Sequence, residues 1–167
     1  MKICENGIIR DMVAEEIAEF KNQPVYATVY SEQDAVAVAV RLLVQGQQPT
    51  TDDERIKCGA IYPEWSAGNH TKGEIYTANG QVWECFQSYD NAVYPDIKPG
   101  NASWYTFNRP LHGTTAETAR DFVQPTGSHD IYHAGEYAIF DTKLYRCISD
   151  TAYSPADYAS AWERPEN

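Results

Sequence analysis

Residues 73–85 read GEIYTANGQVWEC, and this stretch decides the fold because it has the pattern of two short strands joined by a tight turn. Its centre, Asn79-Gly80, supplies the positive φ angles that a two-residue hairpin turn needs. The pattern returns 62 positions later in residues 135–147, which read GEYAIFDTKLYRC. The sequence therefore predicts two copies of one antiparallel hairpin.

The two copies match beyond their hairpins. Residues 60–85 align with residues 122–147 without a gap, and five of the 26 positions are identical. The turn of the second hairpin is Asp141-Thr142, which is weaker turn chemistry than Asn-Gly. A match at a fixed spacing indicates an internal repeat, in which each copy forms one structural unit.

The repeat divides the C-terminal two thirds of the chain into modules. Trp104 in the first copy pairs with Trp162 in the second, although the second copy is four residues shorter beyond its cysteine. We therefore expect one β module at residues 60–110, a polar linker at residues 111–121 and a second β module at residues 122–165.

Each module depends on a small core. A module of under about 50 residues cannot bury a large core, so a few aromatic side chains must supply most of the buried surface. Period-two alternation along the second strand of each hairpin places its cysteine on the same face as an aromatic residue. The expected core residues are Trp83, Cys85 and Trp104 in the first module and Tyr145, Cys147 and Trp162 in the second.

Residues 1–58 differ from the modules in composition. Of the 21 Phe, Trp and Tyr residues, 18 lie after position 58, whereas the first third is rich in Ala, Val, Glu and Gln. The sequence thus predicts an α+β protein, with a mainly helical N-terminal segment followed by two small all-β modules of antiparallel hairpins. A tight turn is also expected at Asn6-Gly7.

Three helices are expected in this segment. Two of them begin at a hydroxyl side chain followed three residues later by an acid, at Ser31 and at Thr51, which is typical of a capped start. A strand is the alternative for residues 34–40, where Ala and Val alternate. The remaining helix is expected to carry an apolar face formed by Val13, Ile17 and Phe20.

The N-terminal segment needs something to pack against. Short helices with narrow apolar stripes rarely stand alone in water. Residues 1–58 must therefore bury their apolar side chains either against the neighbouring module or against a partner. The first alternative makes them a packing element, and the second makes them a docking segment through which the chain forms a homo-oligomer.

The formal net charge of −11 limits the partners of the chain. Nucleic acids and acidic membranes would repel it, because binding to either depends on Lys and Arg. No apolar run approaches the ~18 residues of a membrane-spanning helix, and residues 1–11 lack the pattern of a signal peptide. We therefore expect a neutral partner, with neither nucleic acid nor membrane.

The cysteines show no metal-binding or redox spacing. Two of the four occupy equivalent strand positions in separate modules, which argues against a disulfide between them. Reduced thiols, as in a protein made in a cytoplasm, are the expectation for Cys4, Cys58, Cys85 and Cys147.

No catalytic or metal site is predicted. Glu74 and Glu136 each follow a turn glycine and suit acids that accept hydrogen bonds from nearby backbone N–H groups. His129 and His133 precede a strand, without a further cluster of ligands, so they are not expected to hold a metal. Phosphate-binding, dinucleotide-binding and serine-hydrolase motifs do not occur, so we expect neither an enzyme nor a cofactor.

Short motifs in both copies resemble a known family. The first copy has Tyr62-Pro63-Glu64-Trp65, Gly73-Glu74, Val82-Trp83-Glu84-Cys85 and Trp104. The second has Tyr132-His133-Ala134-Gly135-Glu136, Leu144-Tyr145-Arg146-Cys147 and Trp162, with Gly127 in place of the opening Trp. These motifs resemble the family 5/12 carbohydrate-binding modules (chitin-binding type 3). With Thr51-Asp52-Asp53 ahead of them, they also resemble small bacteriophage or prophage tail-associated proteins.

The resemblance covers the C-terminal two thirds of the chain. It implies compact all-β modules that bind insoluble or cell-surface glycan and have no catalysis of their own. Family members usually carry a pair of adjacent exposed aromatic residues late in the module. That pair is missing from both copies, so tyrosines in the loops are the nearest candidates.

Aromatic rings suit sugars because a pyranose presents a flat face of C–H groups to a π surface, while acids and amides bond its hydroxyls. The alternative is that these side chains pack their modules together. The predicted carbohydrate-binding residues are Trp65, Tyr89, Asp90, Asn91 and Tyr94 in the first module and Tyr153, Asp157 and Tyr158 in the second.

These features favour a non-catalytic glycan-binding adhesin. It would be a phage tail-associated virion protein that recognises host-surface polysaccharide, contacts other tail proteins and is made in the bacterial host cytoplasm. One alternative is a structural or assembly protein of the virion, whose modules mediate protein–protein contacts. Another is an accessory module of a glycan hydrolase that resides on a different chain.

Overall fold

The structure of the chain, a computed structural model, describes residues 1–5 and 8–165 and has an α+β fold. The helices are α1 (Ala14–Lys21), α2 (Glu32–Val44) and α3 (Asp52–Lys57). The strands are β1 (Lys2–Glu5), β2 (Ile8–Asp11), β3 (Asn69–His70), β4 (Ile75–Ala78), β5 (Gln81–Cys85), β6 (Tyr89–Asp90), β7 (Asn108–Pro110), β8 (Arg120–Asp121), β9 (Tyr137–Phe140), β10 (Lys143–Cys147) and β11 (Trp162–Glu163). Short 3-10 helices within the same range cover Gly59–Ile61, Ala102–Thr106 and Ala159–Ala161.

The N-terminal segment is not helical throughout. Strands β1 and β2 pair antiparallel, with Lys2 opposite Asp11, so the chain begins with a hairpin that the sequence analysis did not predict. The turn expected at Asn6-Gly7 lies outside the described residues. Helix α1 forms where its pattern predicts it, but none of its residues is buried.

Helices α2 and α3 begin at the capping residues identified in the sequence. The Ser31 hydroxyl accepts a hydrogen bond from the N–H of Asp34, and the Asp34 carboxylate accepts one from the N–H of Ser31. Thr51 and Glu54 form the same reciprocal pair at the start of α3. The helical prediction for residues 34–40 is confirmed and the strand alternative is wrong, because the capped start and the Ala content favour a helix.

Helix α2 packs against α3 and the 3-10 helix that follows it, and this contact buries one side of α2. Ala35 and Leu42 are its buried residues. Ile56 of α3 continues the contact into the first module, where it packs against Val82 and Leu111. The end of the N-terminal segment is therefore part of the core rather than a separate unit.

Residues 25–30, which we call the bridging segment, contact both modules without forming regular secondary structure. At one end the N–H of Val25 donates to the carbonyl of Thr142 (2.7 Å). At the other end Tyr30 packs against the cluster of α3 and β5, and its hydroxyl donates to the carbonyl of Glu117 (3.3 Å). These contacts support the packing role for this part of the chain.

The first module is built on the antiparallel sheet β4-β5-β7. Asn79 (φ 53°) and Gly80 (φ 73°) form the predicted turn between β4 and β5. The predicted core residues Trp83, Cys85 and Trp104 are all buried, and Trp104 is fully so. The indoles of Trp83 and Trp104 meet edge-on with their centroids 5.5 Å apart.

The second module uses the sheet order β11-β10-β9-β8, in which β8 is parallel to β9 and the other pairs are antiparallel. Its turn residues Asp141 (φ 49°) and Thr142 (φ 58°) take the left-handed conformation that Asn-Gly takes in the first module. Cys147 and Trp162 are buried as predicted, and Tyr145 is half-buried against the same cluster.

Backbone pairing recurs between the modules at the spacing of 62 residues. His70 of β3 pairs with Tyr89 of β6 in the first module. In the second module Tyr132 pairs with Thr151. The turn glycine of each module also donates its N–H to the carbonyl of that module's strand cysteine, at 2.7 Å and 2.8 Å. The sequence repeat is thus a repeat of backbone hydrogen bonds.

The second module does have an opening aromatic residue, which corrects the expectation that Gly127 replaces it. The N–H of Trp65 donates to a carbonyl of β4, and Phe122 makes the same bond to β9, both at 2.8 Å. Trp65 stacks on His70 with centroids 5.7 Å apart, and Phe122 stacks on Tyr132 at 5.1 Å. Phe122 stands five positions before Gly127, so an alignment without gaps misses it.

The closing tryptophans fill similar spaces from different chain positions. Trp162 of β11 lies opposite the strand cysteine of its module, where the first module has Asn108. Trp104 lies four residues before Asn108, in the 3-10 helix that precedes β7. Both indoles meet the opening aromatic ring of their module edge-on, at 5.6 Å in the first module and 6.1 Å in the second.

Residues 111–121 connect the two modules and pack against both of them. Leu111 donates its N–H to the carbonyl of Val82 (2.9 Å), and Arg120 pairs with Ala138 of β9. Both Leu111 and Arg120 are buried. The segment therefore belongs to both modules, because its two ends extend their sheets.

Candidate functional site

Two of the predicted sugar-binding residues are buried, so their assignment is wrong. Tyr89 is 5% exposed because the pairing of β6 with β3 turns its ring onto His70, with centroids 4.8 Å apart. Asn91 is 7% exposed, and its amide donates to the carbonyls of Tyr94 (3.2 Å) and Ile97 (2.8 Å). Tyr89 therefore belongs to the core, and Asn91 holds the shape of its loop.

Trp65 is half-buried and packs against the core, which supports the alternative that this side chain holds its module together. Its ring is stacked on His70 and lies edge-on to Trp104. Its indole N–H donates to the hydroxyl of Tyr89 (2.9 Å). One face of its ring is covered by His70 and its donor is occupied, so at most the other face is open to a ligand.

Asp90 and Asp157 shape the two loops that carry the other candidates, which we call the first tyrosine loop (residues 90–97) and the second tyrosine loop (residues 150–161). Asp90 accepts a hydrogen bond from a backbone N–H two residues on (2.9 Å). Asp157 accepts one from the hydroxyl of Ser154 (2.6 Å). In each carboxylate the second oxygen has no donor within the described chain, which leaves an acceptor for an external hydroxyl.

Tyr94 and Tyr158 occupy matching turns in the two loops. The N–H of Tyr94 donates to the carbonyl of Asp90, and that of Tyr158 donates to Ser154, both at 2.9 Å. The carbonyl of each tyrosine then accepts an N–H from three residues on, at 3.1 Å in both loops. Tyr94 is 58% exposed and Tyr158 is 49% exposed. An exposed tyrosine thus recurs at the end of the same turn.

The second tyrosine loop presents a pair of aromatic rings. Tyr153 is 60% exposed, and its ring meets that of Tyr158 edge-on with centroids 6.3 Å apart. The carbonyl of Tyr153 accepts the indole N–H of Trp162 (3.0 Å). The pair is therefore fixed to the closing tryptophan of the module.

The first tyrosine loop presents Tyr94 beside a cavity of about 310 Å³. The cavity walls are largely apolar and include Val93, Pro95, Ile97 and Phe107. This cavity is not among the sites predicted from the sequence. The run Val93-Tyr94-Pro95 within a polar stretch is the signal that could have found it.

Asp150 adds a charged acceptor at the start of the second tyrosine loop. Its carboxylate accepts the N–H of Ala134 (2.9 Å) and is hydrogen-bonded to Nδ1 of His133 (2.9 Å). The N–H of Ala134, followed by the His133 contact, holds the pKa of Asp150 below its usual value. Asp150 is therefore an ionised, surface-facing acceptor at neutral pH.

Glu74 and Glu136 are turn acids, as the sequence predicts. Glu74 accepts a hydrogen bond from the hydroxyl of Thr71 (2.9 Å), and Glu136 accepts one from the N–H of His133 (2.9 Å). Burial would raise the pKa of Glu74, but the hydrogen bonds from Thr71 and His70 outweigh burial and lower it. These contacts assign both acids to the turns.

The histidines near position 130 have separate partners. His129 is hydrogen-bonded to the carbonyl of Tyr105 (2.7 Å), and His133 faces Asp150. Within residues 1–5 and 8–165, no group of three His, Cys, Asp or Glu side chains is placed to hold a metal ion.

Cys58, Cys85 and Cys147 are free and buried, while the side chain of Cys4 lies outside the described part of the chain. Burial raises the pKa of Cys85 and that of Cys147 to about 11. Both thiols are therefore protonated near neutral pH and are poor nucleophiles.

Comparisons with known proteins were made for the whole chain, and no family model or curated protein matches it. In the part of the chain that is described, no helix is both long and apolar enough to cross a membrane. The activity of the chain must therefore be inferred from the surfaces it presents, above all the two tyrosine loops.

Proposed function

We propose that the chain is a non-catalytic glycan-binding protein whose two tyrosine loops contact the sugar. The observation that carries this proposal is the exposed tyrosine, Tyr94 in one module and Tyr158 in the other, at the end of the same hydrogen-bonded turn. Each module closes its core with a tryptophan instead, so packing does not account for either exposed ring.

The chemistry of the loops suits a neutral polysaccharide. An exposed phenol ring offers a flat surface to the C–H face of a pyranose, and Tyr153 enlarges that surface in the second loop. The free oxygens of Asp90 and Asp157 can accept hydrogen bonds from sugar hydroxyls. A neutral polymer is favoured because a chain with a net charge of −11 repels a polyanion.

We propose that the chain acts as an adhesin on a phage tail, where it recognises host-surface polysaccharide and contacts other tail proteins. The support for this setting is the motif resemblance and the presence of two modules behind an N-terminal segment. A shallow sugar site is weak by itself. Two sites in one chain, multiplied by an oligomer, raise apparent affinity by roughly 10²–10⁴ without new contacts.

Binding of the full chain to a glycan array and to bacterial cell-wall preparations tests the proposal. Replacing Tyr94 and Tyr158 together with Ala should reduce retention at least about tenfold, because both sites of a bivalent contact are lost. Tyr26→Ala is the matched control, since Tyr26 is 74% exposed but lies outside the loops.

Near-UV circular dichroism verifies that each variant keeps its fold. A folded parent protein that retains no glycan contradicts the proposal. Equal losses in the double variant and in Tyr26→Ala would also contradict it, because the effect would then not belong to the loops.

A second function is favoured by the exposed side of α2. Val36, Val40 and Leu43 are 44%, 51% and 72% exposed. Their spacing of four and three residues places them in one stripe along the helix, and such a stripe marks a contact surface. The alternative proposal is thus a structural or assembly protein of the virion, whose protein–protein contacts through its modules are joined by self-association through residues 1–58.

Sedimentation velocity over a range of concentrations tests this alternative. Leu43→Lys should shift an oligomeric parent towards monomer, because it places a charge in the apolar stripe. Val29→Lys is the control, since Val29 is 91% exposed but lies outside α2. A parent chain that is monomeric at every concentration contradicts self-association through this face.

A further inference from the structure

We propose that Arg120 is the centre of a binding site for a single carboxylate group. The site lies where the bridging segment meets the first module, and it goes beyond the proposed function because neither tyrosine loop contributes to it. Its ligand is a small molecule that carries one carboxylate, either a free organic acid or an acidic sugar.

Arg120 is buried without a counter-ion among the described residues. Only 8% of the residue is exposed, yet it forms no ion pair with any acid in the described range. One of its five N–H groups donates, from Nη1 to the carbonyl of Ala119 (2.9 Å). Its guanidinium carbon also lies 5.7 Å from the centroid of the Tyr30 ring. Buried charges are normally paired, because removal from water is costly.

Arg109, another arginine of the same chain, differs from Arg120 because two acids neutralise its charge. Its guanidinium donates to Asp52 (2.9 Å) and to Glu84 (2.8 Å). Burial would lower the pKa of Arg109, but these two acids outweigh burial and raise it. Burial lowers the pKa of Arg120, because it outweighs the charges of Tyr30 and Asp121 and no acid forms an ion pair with this guanidinium in the described range. Because no acid of the described chain forms an ion pair with Arg120, its guanidinium can bind an external anion.

Arg120 also lines cavities that a ligand could enter. It lines two cavities, of about 310 Å³ and about 180 Å³, that also share Ala27, Gly80 and Gln81. Gln81 is 7% exposed, and its amide nitrogen has no acceptor within residues 1–5 and 8–165, so it offers a second donor. The first cavity is large enough for a molecule of monosaccharide size.

A single carboxylate is the anion that suits this site best. A planar carboxylate matches the guanidinium fork with two parallel hydrogen bonds. Asp53 and Glu117 act on the neighbouring Tyr30 with negative charge, so a dianionic phosphate is disfavoured in this field. Asp121 also lines the smaller cavity, but it is exposed, so solvent weakens its repulsion of a carboxylate that is bonded directly to Arg120.

Titration of the full chain followed by NMR tests the site, with acetate, D-glucuronate, D-glucose and inorganic phosphate as probes. Acetate and D-glucuronate should bind saturably, and D-glucose should not. Tighter binding of D-glucuronate than of acetate identifies an acidic sugar as the ligand, whereas equal binding identifies a free carboxylate. Tighter binding of phosphate than of either overturns the assignment of ligand class.

Variants locate the site. Arg120→Gln should weaken carboxylate binding at least about tenfold, and Arg120→Lys should weaken it less, because it keeps the charge but loses the fork. Arg146→Gln removes a more exposed arginine and should leave binding unchanged. Equal binding by the parent chain and by folded Arg120→Lys and Arg120→Gln overturns the proposal, as does a parent chain that binds no carboxylate.

This result is independent of the glycan assay. The double variant with Tyr94 and Tyr158 replaced by Ala should still bind carboxylate with the affinity of the parent. Lost carboxylate binding in that double variant would place the anion in the tyrosine loops and overturn the assignment to Arg120.

Discussion

Cross-strand ion pairs occupy the same place in both modules, but with their charges exchanged. Glu84 of β5 faces Arg109 of β7 at 2.6 Å, and Arg146 of β10 faces Glu163 of β11 at 3.0 Å. In the first module Asp52 and Arg55 of α3 join the pair and extend it to a cluster of four charged side chains. The side chains of Glu84 and Arg109 are 20% and 26% exposed, whereas those of Arg146 and Glu163 are 45% and 47% exposed.

The two arginines should therefore contribute differently to stability. Arg109→Ala leaves Asp52 and Glu84 with the longer contacts to Arg55 (3.8 Å and 3.7 Å), and it should lower the free energy of unfolding by about 2 kcal/mol, because hydrogen bonds between charged groups are lost. Arg146→Ala, the matched control, should cost about 0.5 kcal/mol, because its pair is exposed to solvent. Urea denaturation measures both values, and equal losses would contradict the role assigned to Asp52.

Asp53 ties α3 to residues 111–121 through hydrogen bonds to threonines. Its carboxylate accepts the N–H of Thr114 (2.9 Å) and the hydroxyls of Thr114 and Thr118. Burial would raise the pKa of Asp53, but these hydrogen bonds outweigh it and lower the pKa below 3.8. The stabilisation is thus present above pH 3.8 and is lost as the pH falls further.

Removing this charge should have an effect that depends on pH. Asp53→Asn should lower the free energy of unfolding by about 1–2 kcal/mol at neutral pH, because hydrogen bonds to a charged acceptor are lost. The difference from the parent should shrink as the pH falls below 3.8, because the parent carboxylate then becomes protonated as well. Asp121→Asn, at an exposed acid, serves as control, and a pH-independent loss in Asp53→Asn would contradict the linkage.

The two hairpin turns adopt the same left-handed backbone conformation with different residues. Thr142 has a φ of 58°, although its branched side chain disfavours the left-handed region. Gly80 occupies the equivalent position in the first module, and nothing lies within 4 Å of the place where its Cβ would be. The conformation at Thr142 persists because the surrounding strands and the contact with the bridging segment determine it.

Relieving this turn should stabilise the protein. Thr142→Gly should raise the free energy of unfolding by about 0.5–1 kcal/mol, since the cost of the left-handed conformation exceeds the added freedom of glycine in the unfolded chain. Gly80→Thr is the reciprocal change and should lower it by a similar amount. Chemical denaturation gives both values, and a destabilised Thr142→Gly variant would refute the strain.

Local signals explain which elements the sequence predicted well. The capped starts at Ser31 and Thr51 and the turn at Asn79-Gly80 were recognisable because each depends on residues close together in the chain. The hairpin of β1 and β2 was missed. Phe122 was missed as the second opening aromatic because only the sheet pairing reveals its position.

The candidate site was predicted in part. Tyr94, Tyr153 and Tyr158 are exposed as a sugar contact requires, but Tyr89 is not. The orientation of Tyr89 depends on the pairing of β6 with β3, which are separated in sequence and too short to show a periodic pattern. Burial of Arg120 likewise depends on the bridging segment, so composition alone did not reveal it.

His112 couples the two modules to each other. Its ring stacks on Tyr132 at 3.9 Å, and its Nδ1 is hydrogen-bonded to Glu136 (2.9 Å). Its backbone N–H donates to Asp52 of α3 (3.4 Å). Because one residue joins the second module to a helix packed on the first, the chain should unfold as one unit.

Unfolding of the full chain should therefore show one midpoint. Tryptophan fluorescence reports mainly on the first module, which holds Trp65, Trp83 and Trp104, and hydrogen exchange of β9 and β10 amides reports on the second. His112→Ala should lower the free energy of unfolding by about 2 kcal/mol and separate the two midpoints. Separate midpoints in the parent protein would contradict the coupling.

Residues 111–121 do not form a flexible connection between the modules, because both ends of this segment pair with strands of the two sheets. The distance between Tyr94 and Tyr158 should therefore vary little. On the proposed function, a polymer whose repeat length matches that distance would engage both loops at once, and a polymer with another repeat length would engage only one. Discrimination among polysaccharides would then come from their period as much as from the identity of any sugar.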